Sequence, residues 1–120
     1  MKTIIKLSFT IVFISILSFG VNAQEKTSKI DTSKFEVKGV CNMCKERIEN
    51  AALIKGVKLV EWDKATDTLT VIYRKDKVDI LSVHKSVAEA GHTTEKVKCN
   101  IEAYNNLPAC CAYMGDIKKH

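Results

Sequence analysis

Five cysteines supply most of the reactive chemistry in this 120-residue sequence, and they fall in three places. Cys41 and Cys44 form a C-x-x-C inside "GVCNMCKERIE", Cys99 stands alone, and Cys110 and Cys111 are adjacent in "NNLPACCAY". A C-x-x-C can be a disulfide, a redox couple or part of a metal site. The thiolate is the form that binds metal, and a helix N-terminus lowers a thiol's pKa and stabilises negative charge. The charged, helix-like run after the motif puts Cys44 in a first helical turn and Cys41 just ahead of it. Two sulfurs on one short loop suit the linear geometry of Cu(I) or Hg(II), and soft sulfur selects soft metals. Structural Zn(II) normally takes four ligands, and the sequence has no second C-x-x-C. A thioredoxin-like couple expects an aromatic-flanked motif, which is not present. Metal binding by Cys41 and Cys44 is therefore the primary expectation. Oxidation of the metal-free pair in an oxidising compartment is compatible with it.

The odd cysteine count forbids complete internal pairing, so at least one thiol is free, coordinated or intermolecular. Two readings of Cys110 and Cys111 stay open. They are extra soft ligands, folded over the C-x-x-C loop or forming a second thiolate site. Alternatively, they pair with Cys99 or serve as buried small hydrophobes. Adjacent cysteines do not easily reach one ion together, so a shared site would take one of them. His84 reads as a solvated or helix-edge residue, and His120 as disordered at the terminus. No Ser-His-Asp set, phosphate loop or carboxylate pair argues for hydrolysis, so a non-enzyme is expected.

The elements that must position these groups are legible from pattern. "KFEVKG" alternates Phe35 and Val37 with charged residues, as a half-buried strand does. Asn42 is the expected N-cap of a helix through Ile54, with Ile48, Ala51 and Ala52 on one face and Gly56 just beyond its end. "VKLVEWD" and "TLTVIYR" read as two strands joined by the polar turn Asp63–Asp67, with Trp62 in the core. Asp79 caps a second helix over Ile80–Ala90, stapled by Val78 and Val83, with Ile80, Val83, Val87 and Ala90 buried. Gly91 ends it, and "TTEKVK" supplies a last strand around Val97. The order β-α-β-β-α-β is an α+β arrangement, the ferredoxin-like sandwich of two helices on a four-stranded antiparallel sheet.

Outside that frame, residues 1–23 have the layout of a secretory signal: basic Lys2 and Lys6, apolar Leu7–Phe19, then "VNA" before an expected cut after Ala23. The apolar run falls short of the roughly 20 residues of a spanning helix. A periplasmic or secreted protein without stable membrane insertion is expected, with Gln24–Ser33 a polar linker, 34–98 one small domain and 99–120 a tail. The tail carries Tyr104, Leu107, Pro108 and Tyr113 and is expected to pack back on the domain. The formal charge of +5 drops to about +3 without Lys2 and Lys6. With its charges interspersed, the chain shows no nucleic-acid footprint.

Val37–Val97 resembles the heavy-metal-associated domains of copper chaperones, metal-transporting ATPases and periplasmic mercury-binding proteins. The strand, the C-x-x-C loop, "GVKLVEWD", "TLTVIY" and "AEAGH" carry the likeness. The resemblance implies that Cys41 and Cys44 are thiolate ligands for a soft ion passed to a partner by ligand exchange. It also puts His92 at the spot, beside the metal loop, where these domains hold an aromatic or basic residue. An imidazole there could ligate or hydrogen-bond a thiolate, or remain a supporting or exposed group. The chain departs from the pattern in its lead-in, Gly39-Val40-Cys41, with the methionine moved to position 43, where packing is its expected role and a thioether contact to metal the alternative. Together these imply an exported, monomeric binder that sequesters or shuttles Cu(I), with Hg(II) and Zn(II) as further candidates and a metal-accepting protein as partner. Lys45 and Arg47 would offset the anionic site or dock that partner, or simply form a solvated face. A small thiol-disulfide redox protein and a metal-sensing adaptor are the alternatives.

Overall fold

In β3 (Thr68–Arg74), Leu69, Val71 and Tyr73 alternate with half-buried residues, so one face of the central strand is apolar and turned inward. β1 (Ile30–Glu36) and β2 (Val57–Asp63) flank it, both antiparallel, in the order β1-β3-β2. The computed structural model describes residues 29–115 and 118–120. The signal segment expected at 1–23 lies outside the described residues, as does the linker up to Ser28. The rest of that linker is corrected: Ile30–Ser33 belong to β1, because each pairs with a β3 residue from Arg74 to Val71.

α1 (Asn42–Ala52) and α2 (Ile80–Glu89) close the core. Cys44, Ile48 and Ala52 recur every fourth residue and are the buried positions of α1. Val83 and Val87 of α2 meet them, and Phe35, Trp62, Leu69 and Val71 complete the cluster. Ile80 and Ala90 are only half buried, whereas His84 and Ala88 join the inner face. Trp62 is buried as expected, and its indole N–H donates to the Val37 carbonyl at 2.9 Å.

Two expectations change here. His84 is not solvated. It is buried, stacked on Phe35 with ring centroids 3.7 Å apart, and its Nδ1 shares a 2.7 Å hydrogen bond with Thr94 Oγ1. Burial, then the charge of Lys96, holds its pKa below the usual histidine value. Nor is there a regular fourth strand among the described residues. One bridge, Val37 with Thr94, is all that forms at the free edge of β1, with backbone bonds from Lys38 to Thr93 and from Glu95 to Glu36 on either side. The ladder stops after Glu95, at a turn built on Thr94. Its hydroxyl accepts the N–H of Val97 at 3.0 Å and of Lys96 at 3.3 Å, which curls the chain away from β1.

The tail adds α3 (Ile101–Asn105) and a 3-10 turn (Ala109–Cys111). Asn100 caps α3 by accepting from Glu102 and Ala103, and its own N–H reaches the Ala88 carbonyl at the end of α2. Gly91 allows this docking: its φ is +102°, and a Cβ there would stand 3.0 Å from the α3 backbone. No helix among the described residues is long and apolar enough to cross a membrane.

Candidate metal site

The loop before α1 is seated on Trp62. A Cβ on Gly39 would lie 2.9 Å from two indole carbons and 3.1 Å from the Cβ of Cys44, so only glycine lets the loop close down. Below it, Lys45 donates to the Trp62 carbonyl and to Glu49, while Glu49 accepts the Trp62 N–H, each bond 2.9 to 3.0 Å. The Lys45 ammonium is thus committed to fastening α1 to β2.

Cys41, not Asn42, is the N-cap residue, with extended backbone at φ −145° and ψ 174° and no side-chain cap hydrogen bond. Its sulfur stands 3.4 Å from that of Cys44 and 3.3 Å from that of Cys111. All three ligand atoms lie within 4.8 Å of one another, and all three residues are buried. These separations exceed a disulfide's length of about 2.0 Å, and all five cysteines are free thiols. Three sulfurs bound in a plane at about 2.3 Å from an ion would stand about 4 Å apart, a little beyond the two separations at Cys41. The cluster therefore fits a three-sulfur ion with only small side-chain adjustments.

The electrostatics divide the three thiols. Burial pushes the Cys41 thiol up, but the backbone N–H of Cys44, the thiols of Cys111 and Cys44, and the N–H of Met43 outweigh it and hold the pKa at about 7. Cys111 is driven upward by its burial and then by neighbouring Cys44 and Cys41. With its pKa near 7, the Cys41 thiol ionises readily at neutral pH, while Cys111 beside it keeps its proton.

The tail brings Cys111 to the loop through contacts on both sides of it in sequence. Before it, Leu107 packs on the core. After it, the Tyr113 hydroxyl donates to the Gly91 carbonyl at 2.6 Å and accepts the Thr93 N–H at 3.0 Å. Burial, with help from Cys99, pushes that hydroxyl up to about 12. Tyr104 meets Tyr113 edge-on at 5.0 Å. At the terminus, the His120 N–H donates to the Val40 carbonyl at 3.0 Å, and the His120 carbonyl accepts from Lys64 at 2.9 Å. Lys119 pairs with Asp67 and lies 5.6 Å from the Trp62 ring centroid. His120 is thus placed beside the metal loop rather than disordered.

The other candidates fall outside the three-sulfur group. Cys99 is buried apart from it, its N–H donating to Thr93 Oγ1. Cys110 is half buried, facing the sulfur of Met43. Met43 is half exposed, so packing does not account for it. His92 is fully buried, its Nδ1 bonded to the Lys38 carbonyl at 2.8 Å and its ring stacked on Tyr113 at 5.3 Å. Its Nε2 has no partner among the described residues, and burial leads its pKa below the usual value. His92 therefore supports the loop and the tail from beneath. Sequence places Trp62 in the core and Tyr113 in a tail that packs back, but not the seat of Gly39 on the one or the hydrogen bonds of the other. The conspicuous signals for them were the lone tryptophan and a tyrosine two residues past the cysteine pair.

No protein-family model matches the chain, and no curated protein does. Solved structures do. A CopZ metallochaperone is similar with TM-score 0.52 and 23% identity, over 53% of this chain and 98% of that one. An oxidised MerP from Ralstonia metallidurans CH34 is similar with TM-score 0.52 and 24% identity, over 55% of this chain and 94% of that one. At these identities the likeness is one of fold, and the aligned share leaves about half of this chain unmatched. In fold as well as in motif, the chain resembles the heavy-metal-associated domains.

Proposed function

We propose that the protein is a non-enzymatic, exported carrier of soft metal ions, Cu(I) foremost, which holds its ion on Cys41, Cys44 and Cys111. One observation carries this: three buried sulfurs, from two segments far apart in sequence, lie within 4.8 Å of one another. Thiolates without oxygen or nitrogen partners select soft ions, and three of them suit Cu(I) or Hg(II) better than four-coordinate Zn(II). The free N–H groups at the start of α1 offset the negative charge of the loaded site.

A third ligand from the tail changes the kinetics. A two-sulfur loop at a surface exchanges its ion readily, whereas releasing an ion from three buried sulfurs requires the tail to move. The protein therefore sequesters more than it shuttles, handing its ion to an accepting protein when Cys111 withdraws. Residues 1–23 support export to the periplasm or beyond. Anaerobic titration of the reduced protein, with competition among Cu(I), Hg(II) and Zn(II), tests the proposal. One tightly held Cu(I) per chain is the expected result, and binding no tighter than that of free cysteine would refute it.

A second function is favoured by one feature. Cys41 has a lowered pKa and two sulfurs within 3.4 Å, so it can form a disulfide with either Cys44 or Cys111. A thiol-disulfide protein would show insulin reductase activity and a reduction potential suited to exchange.

A further inference from the structure

Two sulfurs beside the site have no place in the three-thiol cluster. Met43 lies between the loop cysteines with half its surface exposed, and Cys110 precedes Cys111 in the 3-10 turn. Cys110 Sγ and Met43 Sδ are 3.6 Å apart. The turn explains how adjacent cysteines part company. With about three residues per turn, successive side chains diverge by about a third of a circle, so Cys111 enters the core while Cys110 stays at the surface.

The inner cluster has an access problem. Cys44 and Cys111 are fully buried and Cys41 nearly so, so an ion arriving in a water-borne complex meets other groups first. Met43 and Cys110 are soft sulfurs on the same two segments that supply the inner ligands. We propose that Met43 Sδ and Cys110 Sγ form an outer landing site for Cu(I), from which the ion passes inward to Cys41, Cys44 and Cys111. This rests on the carrier function above and adds the route by which the site fills.

A thiolate with a thioether is a ligand pair that selects Cu(I) and excludes hard cations. In the first step Cu(I) leaves its carrier complex, Cys110 gives its proton to solvent, and Cu–S bonds form to Cys110 Sγ and Met43 Sδ. In the second step Cu–S bonds form to the inner sulfurs, and the thiol protons they still carry go to solvent. The bonds to Met43 and Cys110 break, and Cys110 takes a proton back. Copper remains Cu(I) throughout, so no oxidant or reductant is needed.

The test is stopped-flow uptake of Cu(I) from its bicinchoninate complex, without oxygen, by the wild-type protein and a double variant, Met43→Leu with Cys110→Ala. Uptake by the double variant should slow about tenfold or more as the outer ligands are lost. Its final Cu(I) affinity should stay within about twofold of wild type, since the inner ligands are untouched. Cys110→Met alone, which keeps a soft sulfur, should recover most of the rate. Circular dichroism melting of each variant checks that the fold persists. Unchanged uptake in the double variant would overturn the landing site. So would a matching loss of affinity, which would make the pair part of the resting site. Wild-type protein that takes up no Cu(I), or uptake surviving Cys41→Ser with Cys44→Ser, would instead refute the inner site and the route with it.

Discussion

The two long helices begin in opposite ways. At α2, Asp79 accepts the N–H of Leu81 at 3.1 Å, and Val78 precedes it with Val83 four residues beyond, a conventional stapled start. At α1 the cap position holds Cys41, whose side chain makes no cap hydrogen bond. An oxygen there would satisfy the amides of the first turn and add about 1 kcal/mol to the helix. α1 forgoes that stability, and its amides of Met43 and Cys44 favour a thiolate instead. The start of α2 serves the fold, and the start of α1 serves the site.

This contrast can be broken from either side. Replacing Cys41 and Cys44 with Ser together should lower Cu(I) affinity by on the order of 10⁴-fold or more, about 5.5 kcal/mol, measured by chelator competition. The same protein should still fold, because serine at the cap position is a good helix start and offsets part of the cost of burying a hydroxyl at position 44. Next in size, Trp62→Ala removes the seat on which the loop rests and should cost about 3–5 kcal/mol of stability by urea unfolding. Because the Gly39 loop closes on that indole, metal affinity should fall with it. A silent Trp62→Ala would show that the loop stands without support.

On the other side, Asp79→Ala should cost about 1 kcal/mol of stability with no change in metal affinity. A change in affinity would mean that the two helix starts are not separate in role. The smallest effect concerns pH. Burial holds His84 and His92 below their usual pKa of about 6.5, so the unfolded chain takes up protons that the folded one refuses. Their contribution is full above that value and is lost as pH falls below it. The urea midpoint of the metal-free protein should therefore decline from pH 7.5 to 5.5, and replacing His84 with Gln should flatten the decline.

Periodicity made most of the frame legible before the structure. Leu69, Val71, Tyr73 and Trp62 alternate as a strand pair must, and Asp79 is a cap by residue type alone. Of the fourth strand only the bridge of Val37 with Thr94 forms, because the Thr94 hydroxyl makes a local turn that competes with the ladder. His84 misled because a histidine on a helix carries no mark of burial; its partners Phe35 and Thr94 come from distant segments. In the site, the C-x-x-C announces itself by spacing. The location of Cys111 depends on the tail's docking, and that rests on Tyr113, Asn100 and the close approach at Gly91. Such long-range contacts leave no local pattern to read.

Whether the tail completes the site with a third sulfur can be read from X-ray absorption at the copper edge. Wild-type protein loaded with one Cu(I) per chain should show three sulfurs around copper. Cys111→Ala, loaded in the same way, should show two sulfurs at a shorter distance, as the loop alone would give. Two sulfurs at the same distance in both proteins would contradict the account and leave Cys111 a buried thiol with no part in holding the metal.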